Sequence, residues 1–158
     1  MNPEIETYST YIRKQIADVH AALKGLSEEQ LNKQPDIPDA NSGYVVATHV
    51  LGNVRAWVLR IVCGRPLRRD RPGEFASSGT YDELGKAACA LSGEIESALT
   101  ALDPATLGDR SVPSQELWGE GEPHVTSRRE ALAHVLEHAS MHLGQIQLTV
   151  DFVRGQSG

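Results

Sequence analysis

Four long stretches of this chain set apolar residues at helical spacing, and no comparable stretch alternates in the manner of a strand. Over residues 4–24 the pattern runs through Tyr8, Tyr11, Ile12, Gln15, Val19, Ala22 and Leu23, and Gly25 offers a natural stop. A second helix is predicted over 42–63, with Val46, Val50, Val54, Trp57 and Ile61 on its apolar face and Gly64 and Pro66 closing it. The third, over 80–102, carries Leu84, Ala87, Ala88, Leu91, Ile95, Ala98 and Leu99 and ends before Asp103-Pro104. The last, over 127–153, carries Leu132, Val135, Leu136, Ala139, Leu143, Ile146 and Val150.

Start signals agree with these spans. Ser27-Glu-Glu-Gln30, Thr80-Tyr-Asp-Glu83 and Ser127-Arg-Arg-Glu130 each have the capping-box form, in which two side chains satisfy free N–H groups at a helix start. The first box opens only a short turn that ends at Gln34-Pro35. Residues 35–43 are dense in turn formers, and residues 65–79 are rich in Pro, Gly, Arg and Ser; both read as exposed connections. Residues 105–125 read as irregular chain with one short hairpin about the glycines. There Trp118 is expected to cover one end of the core, and His124 to lie exposed. The expectation is an all-α four-helix bundle, one domain over residues 1–158.

Charge and cysteine content narrow the partners. A formal charge of −6 and a pI near 5.5 argue against a nucleic-acid-binding surface. The one basic run, Arg65-Pro-Leu-Arg-Arg-Asp-Arg71, reads as a solvated loop. No signal peptide is evident at Met1-Asn-Pro-Glu-Ile-Glu6, and no apolar run approaches a membrane span, so a cytoplasmic chain with no membrane partner is expected. Cys63 and Cys89 match no metal or redox motif and sit in apolar helical patterns, where a reduced, buried thiol is expected.

The last helix carries the candidate chemistry. His134, His138 and His142 follow one another at intervals of four residues, and each step advances only about 40° around a helix, so the three imidazoles form one ridge. Gln145 lies on the same ridge, at the margin of the apolar face. Glu137 points about 100° away from His138 and is not counted as a ligand. Two imidazoles one turn apart can share a metal ion, although such pairs also occur as packing residues. On the second helix His49 occupies the same kind of flank position, with Asn53 one turn further on. His49 together with His138 and His142 would make a three-imidazole site with an open coordination position, suited to Zn, Ni or Fe(II). His20 is isolated and reads as a packing or surface residue.

His49 in the second helix, followed after a long gap by His138-Ala-Ser-Met-His142-Leu-Gly-Gln145, resembles the DinB/YfiT-like superfamily of four-helix proteins. Leu26-Ser-Glu-Glu-Gln-Leu-Asn32 ahead of a Pro-rich loop adds to the likeness. The resemblance spans nearly the whole chain and implies a metal held by three histidines, which match His49, His138 and His142. The familiar closing pattern often has two adjacent histidines and an Arg before Gly-Gln. Here Met141 and Leu143 take those places, which leaves the triad intact and alters whatever substrate contacts the missing groups make. His134, Gln145 and Asn53 are then candidates to support the ligands or to line the cleft.

Two classes of function follow. One is a metal-dependent enzyme acting on a small molecule, in which the open position activates water for hydrolysis or a low-molecular-weight thiol for S-transfer; the resemblance leans toward the thiol. The other is a non-catalytic metal- or ligand-binding bundle. Val58 and Val62 lie off the main stripe of the second helix, which suggests a homodimer contact.

Overall fold

The computed structural model describes residues 1–155; of the domain expected over 1–158, residues 156–158 lie outside the described residues. The described chain is all-α, apart from one two-stranded pairing. Seven α-helices are present among the described residues: α1 (Pro3–Ala22), α2 (Glu28–Asn32), α3 (Gly43–Val54), α4 (Arg71–Phe75), α5 (Tyr81–Thr100), α6 (Gln115–Trp118) and α7 (Arg128–Gly155). The four long spans read from the sequence are there, as α1, α3 with its continuation, α5 and α7. The three short helices, α2, α4 and α6, lie in segments that read as turns, loops or irregular chain.

Each start follows from its local chemistry. Asn2 caps α1 by accepting from the Glu4 and Ile5 amides, with Pro3 at the first position. The boxes Ser27/Gln30 and Thr80/Glu83 are closed in both directions. In the third box the Glu130 amide donates to Ser127 Oγ at 3.1 Å and the Ser127 amide to Glu130 Oε2 at 2.7 Å. After α1 the chain turns at Gly25, where φ is +84°, a left-handed value that glycine adopts freely.

Helix α3 does not stop at Val54 but widens into a π-helix over Arg55–Val62, closed by the Cys63 amide on Val58 O at 3.0 Å. The wider turn buries Ala56, Trp57, Val58 and Leu59 in succession, together with Val62. Val58 and Val62, whose surplus apolar character suggested a homodimer contact, are fully enclosed within the chain. Segment 43–62 is long and apolar enough to cross a membrane, yet it is mostly buried, as a core helix is.

Helix α1 packs between α5 and α7, while α3 and its π continuation pack against α7 and α5 on the opposite side. One hydrophobic core runs between them. On α5 the expected stripe is buried except for Ala87, which is exposed. On α1 the buried face is Ile5, Ser9, Ile12, Ile16 and Val19. Tyr11 is 55% exposed, so the core face is rotated away from the tyrosine and Gln15 of the expected stripe. The reason is volume: the β-branched isoleucines fit between helices, whereas a tyrosine hydroxyl would lose its water.

Two connections differ from expectation. Residues 65–79 are not simply an exposed loop: Asp70 caps α4 through the Gly73 amide at 3.0 Å, and Arg69 and Glu74 are buried. Residues 105–125 contain a 3-10 turn (Pro104–Gly108), α6, and strand β1 (Arg110–Ser111), which pairs antiparallel with β2 (Thr126–Ser127). Cys89 is exposed and Cys63 half-buried, and both are free. The expectation of buried thiols therefore fails for Cys89, because α5 turns that side away from the core. Burial raises the Cys63 thiol pKa, against the nearby charges of Arg65 and Arg128.

Candidate metal centre

α3 and α7 lie side by side, and this pairing brings the flank histidines together. His49, His138 and His142 each offer one ring nitrogen, and these three atoms lie within 4.8 Å of one another. His49 Nε2 and His138 Nε2 are 3.2 Å apart. The rings of His138 and His142 stand edge to face at 4.4 Å, as successive members of one helical ridge.

Hydrogen bonds fix which nitrogen faces inward. His142 Nδ1–H donates to Gln145 Oε1 at 2.7 Å, a contact one turn along the same helix. His49 Nδ1–H donates to Glu74 Oε2 at 2.9 Å. With both Nδ1 atoms engaged as donors, the Nε2 lone pairs of these rings are the ones free to bind a cation. His138 Nδ1 is buried without a partner, and the polar contact of this ring is the one its Nε2 makes with His49 Nε2.

All of this favours neutral imidazole. Burial, followed by the proximity of His142, His49, His134 and Arg69, pulls the pKa of His138 down to about 2. Burial lowers the pKa of His142 too, against the raising effect of the Gln145 hydrogen bond. Uncharged nitrogen donors converging on one point are the ligand set that Zn, Ni or Fe(II) takes from imidazole. The residues fit a divalent metal: without a cation, unprotonated nitrogens at 3.2 Å repel, or one of them must carry a proton.

Behind His49 stands an ion pair that the sequence did not reveal. Arg69 grips both oxygens of Glu74, Nε to Oε1 at 2.8 Å and Nη2 to Oε2 at 2.9 Å. Burial alone would raise the Glu74 pKa, but the bonds from His49 and Arg69, with the Arg69 charge, hold it below the ordinary carboxylate range. The basic run was expected to be a solvated loop, and for Arg69 that is wrong. Asp70, Pro72 and Gly73 are a readable signature for a short helix, but nothing in the sequence marks Arg69 and Glu74 as buried partners.

A cleft of about 380 Å³ opens over the three histidines. Asn53, 3% exposed, forms part of its wall. His134 lines it as well, its ring tilted against Trp57 with centroids 3.9 Å apart. Glu74 and Gln145 are the residues whose oxygens meet the Nδ1 atoms of His49 and His142. Trp118, expected as a cover for the core, also borders the cleft and packs against Trp57 at 5.5 Å. Arg71 lies at the mouth over the Phe75 ring, with the exposed Glu120 carboxylate 2.8 Å from its Nη2.

The other histidines stay away from the cluster, as the sequence suggested. His20 stacks on Tyr81 at 4.0 Å and is a packing residue. His124 is exposed and meets only the edge of Trp118 among the described ring contacts. Glu137 is exposed on α7.

No curated protein matches this chain. Residues 11–146, which run from the first helix past the whole histidine ridge, match the family model of the DinB superfamily. That match contains His49, His138, His142 and the elements that bring them together, and the chain belongs to the DinB superfamily.

Proposed function

We propose that the chain is a cytoplasmic, metal-dependent enzyme acting on a small molecule, in which the cleft presents a low-molecular-weight thiol to an electrophilic substrate. The observation that carries this reading is the convergence of three imidazole nitrogens, within 4.8 Å, in the wall of a solvent-open cleft. A three-histidine set leaves a coordination position for substrate, whereas structural zinc is enclosed by four protein ligands. A divalent ion held by His49, His138 and His142 would supply a Lewis-acidic position that favours the deprotonated form of a thiol or water.

The chain's own residues supply positioning. Glu74 and Gln145 hold the His49 and His142 rings with Nε2 inward. Asn53 and His134 offer polar contacts along the wall. Arg71 offers a positive charge at the mouth; its partner Glu120 has a side chain 86% exposed, so an anionic substrate group can take that carboxylate's place. Thiol chemistry is favoured over hydrolysis because the carboxylates beside the cleft are engaged, Glu74 by Arg69 and His49, and Glu120 by Arg71. Glu74, the carboxylate in contact with a histidine of the cluster, does not stand free as a general base for water, and a coordinated thiol needs none.

The test is elemental analysis of untagged protein purified without added metal, alongside His138→Ala. One equivalent of a divalent metal in the first and little in the second is expected. Cobalt(II) substitution then separates the chemistries: a small thiol should add a sulfur-to-cobalt charge-transfer band. Metal-free protein that also fails to take up zinc or cobalt would end the enzyme reading. Hydrolysis of an activated ester without any thiol band would leave the metal and refute the thiol.

A further inference from the structure

We infer that Glu74 sets the orientation of His49 and that Gly52 exists in α3 to let it do so, an inference that rests on the metal-site reading. Glu74 arrives from outside the long helices, on α4, and its carboxylate is 2.9 Å from His49 Nδ1. Asn53, one turn further on the same helix, keeps its Oδ1 without a partner, and the acceptor that His49 Nδ1 meets comes from the connection. Arg69 holds both oxygens of the carboxylate, Nε on Oε1 and Nη2 on the same Oε2 that faces His49, with Nη2 itself 3.4 Å from His49 Nδ1. Arg69 is anchored in turn: its backbone N–H donates to Glu116 Oε1 at 2.9 Å, and its Nη1 reaches Leu117 O at 3.4 Å. A chain of polar contacts thus links α6, the 65–79 connection and the cluster.

Gly52 lies three residues after His49 in the middle of α3. Glycine is among the poorest helix formers, so an interior glycine calls for a packing reason. Here the reason is steric. A Cβ at position 52 would lie 2.1 Å from Glu74 Oε1 and 2.5 Å from its Cδ. The contact is too close for any side chain, and the crowded atoms belong to a carboxylate fixed by Arg69. Gly52 is therefore a positioning residue that acts through Glu74.

The consequence is a choice of tautomer. With Nδ1–H donated to Glu74, the proton of neutral His49 is on the outer nitrogen and the Nε2 lone pair faces His138 and His142. Remove the acceptor and both tautomers, and both ring flips, become available. Losing an acceptor of this kind typically weakens metal binding about 10–100-fold.

Gly52→Ala is the sharpest variant, since it moves Glu74 without changing any charge or any atom of the site. Two readouts are needed: the ¹⁵N tautomer signature of His49 in metal-free protein, and zinc affinity. The expected result is a shift of His49 from a single Nδ1–H form to a mixture, with zinc affinity about 10–100-fold lower. Should Gly52→Ala fail to fold, Glu74→Asp keeps the charge for Arg69 and withdraws the carboxylate by one methylene, with the same expectation. An unchanged tautomer and unchanged zinc affinity in a folded variant would overturn the inference. If wild-type protein binds no zinc while the His49 tautomer still shifts, the orientation by Glu74 stands and the metal-site reading falls.

Discussion

His138 should make the metal-free protein lose stability between pH 7.5 and 5.5 by a predictable amount. In the folded chain its pKa is about 2, because burial and the neighbouring His142, His49, His134 and Arg69 all oppose a charge there. In the unfolded chain an ordinary histidine titrates near 6.5. The folded value is the lower one, so between these limits the unfolded state binds more protons and stability falls as the pH falls. The stability is fully present above about pH 6.5 and is lost progressively below it, down toward pH 2. At pH 5.5 the unfolded side chain is about ten-elevenths protonated while the folded one stays neutral, which is worth about 1.4 kcal/mol, or RT ln 11. This figure needs only that the folded pKa be well below 5.5. Urea denaturation in the presence of a chelator, at both pH values, measures it, with wild type compared against His138→Gln. His134 and His142, whose pKa values are also lowered by burial, add to the slope in both proteins and largely cancel. The variant should lack about 1.4 kcal/mol of the wild-type loss. A pH dependence equal in both proteins, or a His138 resonance that titrates above pH 5, would refute the reasoning.

Replacing His49, His138 or His142 by Ala should each abolish stoichiometric zinc binding, whereas His20→Ala and His124→Ala should leave a calorimetric titration unchanged. Zinc affinity of the folded wild type should persist to a pH below the roughly 6.5 at which free histidine protonates, since burial keeps the His138 and His142 nitrogens unprotonated there. Arg71→Ala should raise KM for a substrate bearing a carboxylate and leave kcat nearly unaltered, because the arginine lies at the mouth and away from the histidines; equal losses in both would count against it. With a thiol-reactive dye, exposed Cys89 should react rapidly in native protein and half-buried Cys63 only slowly, reaching parity when the chain is unfolded.

How far this could be read in advance depended on whether the determinant was local. The capping boxes at Thr80/Glu83 and Ser27/Gln30 work within one helical turn, and the structure closes both as the sequence spells them. The histidine ridge is likewise set by spacing along a single helix. His49 joined it because a flank position on one helix faces a flank position on its neighbour. The π turn was not legible: 54–62 is so rich in apolar residues that the pattern reads alike for either winding, and burial by α5 and α7 decides between them. The face of α1 was misjudged for the same reason, as Tyr11 and Ile12 are equally plausible core residues until the neighbouring helices fix the available volume.

The buried Arg69–Glu74 pair was hidden most deeply, and why it was hidden bears on how the site is built. A charged pair is enclosed only when its desolvation is offset by several hydrogen bonds at once; here His49 bonds the Glu74 carboxylate and Leu117 O accepts from the Arg69 guanidinium, while Glu116 holds the Arg69 backbone N–H. His49 belongs to α3 and both Glu116 and Leu117 to α6, and no short window of sequence contains the two helices together. Single-partner removal from such a cluster leaves a buried charge uncompensated, commonly at about 3–5 kcal/mol. So Glu74 joins fold and chemistry: the contact that orients a ligand histidine is also the one that makes Arg69 tolerable inside. Of the two histidines on α7, His142 finds Gln145 one turn away, and His138 keeps its Nδ1 buried without a partner. A divalent metal here would draw two ligands from one helix, while the third, His49, is oriented by a carboxylate that comes from the connecting segment.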